Sequence, residues 1–143
     1  AWNILGSQGY NMPMFSTTFT EMWGQHHFKY SGMDQHVHPY GSQIIGFYFI
    51  RTPKNCSVAT FFDPRAAKVQ IDLPEQDINM ATPASKMINF EPKPGLMIFA
   101  NAWLAHSFTR HAADKPMKFV HFNLNVQMAQ NAPACPAPAA EVV

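Results

Sequence analysis

Two histidines separated by a single residue, His36 and His38, are the feature of this sequence that most directly suggests chemistry. On an extended backbone, residues i and i+2 point to the same face, so both imidazoles can approach one metal ion. A third ligand must then come from elsewhere in the fold, and His106 is the best candidate because it stands at the start of a predicted strand. Three neutral imidazoles suit Fe(II), Zn or Cu, and the residue types alone do not choose among these metals.

The other histidines are weaker candidates for the same site. His26 and His27 are adjacent, so their side chains point to opposite faces and cannot both bind one ion. We interpret both as loop or surface residues, with His26 the one that could lie near the site. His111 follows Arg110 in a polar segment and is interpreted in the same way.

The last predicted strand, residues 117–126, places a lysine among apolar side chains. Residues of one parity are apolar and predict the inward face: Val120, Phe122, Leu124 and Val126. Lys118 has this parity and is therefore predicted to point inward, where it either extends to the rim or pairs with the carboxylate of a small organic acid. His121 takes the opposite face and is a weaker candidate for the same cavity.

Short strands are the elements that must position these residues. The 12 prolines recur along most of the chain and leave little room for helices of ordinary length. Strands are predicted at residues 16–23, 43–50, 57–62, 68–73, 87–90, 96–100, 105–109 and 117–126. The segments 43–50 and 57–62 suggest a hairpin. This pattern predicts an all-β sandwich or jelly roll, with short or no flanking helices.

The composition indicates one soluble domain and excludes several classes of protein. Of 143 residues, 47% are hydrophobic and 13% charged, with a net charge of +1. We expect a single domain at residues 1–130 and a Pro/Ala-rich tail at 131–143. The sparse basic residues argue against nucleic-acid binding, and the apolar runs are too short for a membrane helix. Cys56 and Cys135 lack metal or disulfide spacing, which favours a reducing, cytoplasmic location.

Five segments, in this order along the chain, resemble one known family. They are Gln35-His36-Val37-His38-Pro39, Ile45-Gly46-Phe47-Tyr48-Phe49, Phe62-Asp63-Pro64-Arg65, the stretch from Pro94 through Phe99 to His106, and His121-Phe122-Asn123. Together they resemble the 2-oxoglutarate- and Fe(II)-dependent oxygenases, in particular a small subfamily found widely in marine phages and bacteria. For a phage-encoded protein, the expected location is the host cytoplasm.

The resemblance implies a fold and a metal. The family's fold is a double-stranded β-helix, which is a jelly roll related to the cupins. Its iron is held by two histidines and one carboxylate. Carried over by position, His36 is the first ligand and His106 the distal one, while His38 stands where the family has its carboxylate. The subfamily itself often carries histidine at that position, so the resemblance implies Fe(II) at a three-histidine site.

The resemblance also implies a cosubstrate and a reaction. A basic residue on the strand after the distal histidine binds 2-oxoglutarate in the family, and Lys118 is predicted to take this role. Tyr48 and Arg65 are candidates for accessory contacts. Decarboxylation of 2-oxoglutarate to succinate and CO2 would be coupled to hydroxylation of a C–H bond in an unidentified substrate, for which a peptide side chain is one option.

Two other functions remain open at the level of sequence. A cupin-like three-histidine metalloenzyme would keep the metal but use no 2-oxoglutarate, and Lys118 would then extend to the surface. A jelly roll can also be a structural module of a phage particle, in which the histidines have no metal. The sequence leaves open whether the chain is a minimal core or completes its packing by forming a homodimer.

Overall fold

Eight β-strands dominate the computed structural model, which describes residues 2–71, 73–78 and 80–129. They are β1 (Phe15–His27), β2 (Met33–His36), β3 (Ile44–Arg51), β4 (Ala59–Phe62), β5 (Met87–Phe90), β6 (Met97–Asn101), β7 (His106–Phe108) and β8 (Met117–Met128). One short α-helix, α1 (Trp2–Ser7), and two 3-10 turns, Met12–Met14 and Ala66–Gln70, complete the described elements.

The strands form two four-stranded antiparallel sheets. Sheet I has the order β1-β8-β3-β6, and sheet II has the order β2-β7-β4-β5. Strands that follow one another in sequence mostly lie in different sheets, which is the winding of a jelly roll. The predicted all-β, double-stranded β-helix with short flanking helices is therefore confirmed.

The core between the sheets is rich in aromatic side chains. Its fully buried members include Phe47 and Phe49 from β3, Phe119 from β8 and Phe108 from β7. The rings of Phe108 and Phe119 stack with centroids 5.1 Å apart, so side chains from both sheets interdigitate. A second apolar cluster forms on the outer side of sheet I, where Leu5 of α1 packs near Ile44, Phe122 and Leu124.

The predicted inward face of the last strand is wrong. The residues of β8 that are almost inaccessible to solvent are Met117, Phe119, His121 and Asn123, and they face the space between the sheets. Phe122 and Leu124 are also buried, but against α1 on the outer side. Both faces of β8 are thus apolar, and alternation alone could not distinguish the core from the cover supplied by α1.

A bulge in β1 sets which of its residues face the core. The register with β8 shifts between Phe19 and Glu21, after which Glu21, Trp23 and His27 lie opposite Asn123, His121 and Met117. An extra residue in one strand reverses the facing of everything beyond it. His27 is therefore buried, and the interpretation of His27 as a loop or surface residue is wrong.

Two predicted strand features are also wrong. Residues 66–70 form a 3-10 turn in place of the strand predicted at 68–73, because the backbone N–H of Lys68 donates to the carbonyl of Arg65 and that of Ile71 to the carbonyl of Lys68, both at 2.9 Å. The side chain of Lys68 binds Asp63 at 3.0 Å and the carbonyl of Ser85 at 2.6 Å. The segments 43–50 and 57–62 do not pair as a hairpin. The turn after Arg51 carries the chain from β3 in sheet I to β4 in sheet II.

No helix in the described residues is long and apolar enough to cross a membrane. The predicted tail at 131–143 lies outside the described residues.

Candidate metal centre

Three predicted ligands, His36, His38 and His106, converge at one end of the space between the sheets. His36 and His106 lie directly opposite each other on the antiparallel strands β2 and β7. His38 follows β2, and its backbone N–H donates to the carbonyl of Ala102 at 3.0 Å, which holds the His-Val-His segment against the β6–β7 connection. One ring nitrogen from each histidine lies within 4.8 Å of those of the other two.

Backbone hydrogen bonds orient two of these rings. Nδ1 of His36 donates to the carbonyl of Asp34 at 2.7 Å, and Nδ1 of His106 donates to the carbonyl of Leu104 at 2.9 Å. Because a carbonyl oxygen only accepts, Nδ1 carries the proton and Nε2 keeps its lone pair. The Nε2 atoms of His38 and His106 are buried and have no hydrogen-bond partner. The lone pair that each Nδ1 bond leaves on Nε2 of His36 and His106 is what a metal ion requires of its ligands.

Burial keeps two of the candidate ligands, His38 and His106, neutral. It lowers the pKa of His106 to about 4, helped by the charges of His36 and His38, against the opposing effect of the Leu104 carbonyl. Burial and the charge of His36 also lower the pKa of His38, whereas the side chain of Asn123 acts in the opposite direction. A metal binds the neutral imidazole, so the pocket favours the protonation state that a ligand needs.

A fourth imidazole, that of His121, lies beside the three. Its ring is 4.9 Å from that of His38 and packs between Trp23 at 4.2 Å and Phe47 at 4.5 Å, measured between ring centroids. Only 1% of the residue is exposed, and both ring nitrogens are buried without a hydrogen-bond partner. It stands outside the group of convergent ligand atoms. The sequence prediction underrated His121 because it assigned the inward face of β8 to the wrong parity.

Two of the three residues predicted to contact the cosubstrate, Lys118 and Tyr48, lie on the outer face of sheet I, and the third, Arg65, binds Asp63. Lys118 belongs to the outer face of β8, opposite in direction to Phe119, and is paired in register with His26 and Arg51, so its predicted inward orientation is wrong. Tyr48 alternates with the buried Phe47 and Phe49 and is 38% exposed on the outer side of sheet I. Arg65 binds Asp63 through two nitrogens and donates to the carbonyl of Pro83 at 2.8 Å.

Two histidines that we interpreted as surface groups form a buried cluster of their own. Nδ1 of His27 and Oγ of Ser57 are hydrogen-bonded at 3.0 Å, and the backbone N–H of Ser57 donates to Nδ1 of His111. Nε2 of His111 donates to the carbonyl of Lys115 at 2.9 Å. All three residues are buried, so the surface interpretation of His111 is wrong as well. Apart from the unpartnered Nε2 of His27, this cluster satisfies its own polar atoms.

A cavity of about 430 Å³ reaches the metal centre at His38. Its walls come from α1 and the segment after it, from the turn around Tyr40, and from Trp103. Amide groups of Gln8, Gln43 and Asn101 are its main polar features, and no charged residue is among the described residues that line it.

Two facing antiparallel sheets with converging histidines at one end define a metal-binding jelly roll, and comparisons assign it to a family. Residues 21–123 match the model of a family described as "Putative 2OG-Fe(II) oxygenase". The chain belongs to this family of 2-oxoglutarate- and Fe(II)-dependent enzymes, as the resemblance implied. A search of curated protein sequences finds no match.

Solved structures of low sequence identity share the fold. An oxidoreductase of the 2OG-Fe(II) oxygenase family from Burkholderia pseudomallei aligns with a TM-score of 0.60 and 9% identity, over 87% of this chain and 51% of that one. SnoN, a non-heme alpha-ketoglutarate-dependent epimerase from nogalamycin biosynthesis, aligns with a TM-score of 0.58 and 12% identity, over 95% of this chain and 57% of that one. The chain thus spans little more than half the length of these neighbours.

The family's cofactors are Fe(II) and 2-oxoglutarate, and the structure fits them unequally. The free Nε2 lone pairs suit Fe(II), which accepts imidazole ligands. For 2-oxoglutarate, a cation is the natural partner of the carboxylate far from the metal. None of the ten Lys and Arg side chains, all of which lie in the described ranges, is buried. The residues present therefore fit the metal but offer no interior cation to the cosubstrate.

Proposed function

We propose that this chain is an Fe(II)-dependent dioxygenase that uses 2-oxoglutarate and hydroxylates an uncharged substrate. The observation that carries the proposal is the convergence of His36, His38 and His106, whose ligand nitrogens lie within 4.8 Å of one another. Membership of the oxygenase family supports it independently. A marine or phage source and a cytoplasmic location stay predictions drawn from the resemblance.

The chain's own residues would have two roles, which are to bind the metal and to exclude water from it. His36, His38 and His106 hold the metal, and a three-ligand set leaves open positions on an ion that prefers six ligands. Iron at such a site supplies the redox chemistry with O2 that no side chain can provide. Phe47 and Phe61 pack against the ring of His106 with centroids 5.6 and 5.7 Å away, and so exclude water from the inner side of the centre.

The cavity beside His38 supports an uncharged substrate. It is lined by apolar and amide groups with no charged side chain among the described residues, so a charged substrate would lose hydration without gaining a partner. Exposed aromatic side chains, Tyr40 and Trp103, border it and can pack against an apolar or cyclic group. A neutral peptide side chain, such as that of proline, satisfies these requirements.

Metal content tests the site directly. Protein purified without an affinity tag and loaded with Fe(II) under anaerobic conditions is expected to hold one iron per chain, and His36→Ala and His106→Ala are expected to lose most of it. His26→Ala is the matched control, because His26 is an exposed histidine on β1. Equal iron content in all four proteins would contradict the metal site.

One observation favours a second candidate function. Since Lys118 faces outward, a three-histidine metalloenzyme that binds no 2-oxoglutarate remains compatible with the same metal centre. Anaerobic titration of the Fe(II)-loaded protein with 2-oxoglutarate distinguishes the two functions. Appearance of a metal-to-ligand charge-transfer band supports the oxygenase, and its absence from iron-loaded protein favours the second candidate. Membership of the oxygenase family does not support the third alternative, a non-catalytic structural module of a phage particle.

A further inference from the structure

The inward positions of β8 beyond the metal centre are apolar. The strand after the distal histidine is where the resemblance places a basic residue, but Met117 and Phe119 occupy its inward positions and are 0% and 1% exposed. Around them, Phe49 and Phe108 fill the space between the sheets. A carboxylate placed there would be desolvated without a counter-charge, so this part of the interior does not hold one.

His121 is the inward residue of β8 that stands next to the three ligands. Both of its nitrogens are buried and unpartnered, a condition that is destabilising when nothing compensates for it. Buried polar groups in folded proteins usually have hydrogen-bond partners, and a bound ligand would supply the missing partner for His121. An imidazole ring carries at least one N–H, so His121 has a donor for such a ligand.

Direct binding to the metal ion does not account for the buried, unpartnered nitrogens of His121. Nitrogens bound to one ion at about 2.1 Å lie no more than roughly 4.2 Å apart. His121 does not belong to the group whose ligand atoms lie within 4.8 Å of one another. Its ring is nevertheless a near neighbour of His38, so it can reach a ligand that is bound to the ion.

We propose that this centre binds a 2-oxo acid through its metal-chelating head alone, with the N–H of His121 donating to that head and no cation holding the far end. The proposal rests on the proposed function and deepens it, because it names what the cosubstrate site recognises. It follows that 2-oxoglutarate and shorter 2-oxo acids bind with similar affinity. A charge-assisted bond at the far carboxylate would instead favour 2-oxoglutarate by about 10- to 100-fold.

Comparison of two 2-oxo acids tests the proposal without any variant. Fe(II)-loaded wild-type protein is titrated anaerobically with 2-oxoglutarate and with pyruvate, which has the same chelating head but no second carboxylate, and the charge-transfer band gives each Kd. The expected Kd values agree within a few-fold. A preference of tenfold or more for 2-oxoglutarate would overturn the inference and leave the proposed function intact.

Variants of Lys118 and His121 test which of these residues contacts the 2-oxo acid. Lys118→Met is expected to leave both Kd values unchanged, because Lys118 lies on the outer face of β8. His121→Leu is expected to raise both by about tenfold, the loss of one hydrogen bond to a charged group, with iron content unchanged. His121→Gln, which keeps an N–H donor, is expected to recover part of the loss.

Other results of these titrations would contradict the inference, the use of 2-oxoglutarate or the metal centre. Loss of binding in Lys118→Met, or unchanged binding in His121→Leu, contradicts the inference but not the oxygenase assignment. Absence of the band with both acids in iron-loaded protein contradicts the use of 2-oxoglutarate and the inference with it. Absence of iron from the wild-type protein contradicts the metal centre itself.

Discussion

At the scale of single residues, the candidate metal centre consists of three histidines that reach one point from β2, the residues after it, and β7. His36 and His38 are close in sequence, and an extended backbone aims both at one point, so spacing carries the information. The pairing of His36 with His106 across β2 and β7 then brings in the distal ligand. The role of Lys118 depended on which face of β8 is covered, and this is decided by α1 and β1, which are distant in sequence.

The histidine that replaces the family's carboxylate provides a test at this scale. His38→Asp is expected to retain more Fe(II) than His38→Ala, because a carboxylate is also a ligand for this ion and restores the family's own ligand set. Iron content per chain after anaerobic gel filtration measures the difference. If Asp and Ala variants lose iron to the same extent, position 38 does not contribute a ligand.

At the scale of elements, sheet I depends on one close approach between strands. Gly46 on β3 lies opposite Phe122 on β8, and a Cβ at position 46 would overlap the ring of Phe122. The sequence alone places this glycine inside the strand predicted at residues 43–50 but does not identify the side chain that faces it. Its role became visible only once the register between β3 and β8 was known.

Substitution of this glycine is therefore expected to destabilise the fold. Gly46→Ala should lower the free energy of unfolding by about 1–3 kcal/mol, the usual cost of forcing extra atoms into a packed site. Gly24→Ala is the matched control, since a Cβ at this β1 position meets nothing within 4 Å. Urea unfolding followed by circular dichroism measures both, and equal midpoints would contradict the close packing of Phe122 on Gly46.

At the scale of the whole molecule, buried histidines make stability depend on pH. Burial and the charge of His111 lower the pKa of His27 to about 4 in the folded protein, whereas the unfolded chain has about 6.5. The unfolded state therefore binds the proton first as pH falls. The stabilisation is complete above pH 6.5 and is lost progressively between pH 6.5 and about 4.

The expected effect is measurable away from the metal centre. Between pH 7 and 5, protonation of His27 in the unfolded chain should lower the free energy of unfolding by about 2 kcal/mol, as one proton per molecule contributes 1.36 kcal/mol per pH unit. In metal-free protein, His27→Gln should show a correspondingly weaker pH dependence, while His26→Gln at the exposed neighbouring position keeps that of the wild type. Identical pH profiles for wild type and His27→Gln would contradict the buried, neutral state of His27.

The fold class was predictable because short apolar segments and proline punctuation recur along the whole chain. The assignment of each strand to a sheet was less predictable from the sequence. The hairpin predicted between residues 43–50 and 57–62 failed because jelly-roll winding sends consecutive strands to opposite sheets, and the bulge beside Thr20 has no signature in composition.

The central claim is that His36, His38 and His106 bind one iron through their Nε2 atoms. A crystal structure of the protein loaded with Fe(II) under anaerobic conditions, with anomalous scattering at the iron edge, tests it most directly. The expected result is a single iron about 2.0–2.2 Å from the three Nε2 atoms, with open positions toward His121 and the cavity beside His38. An iron bound elsewhere, or by fewer than these three histidines, would contradict it.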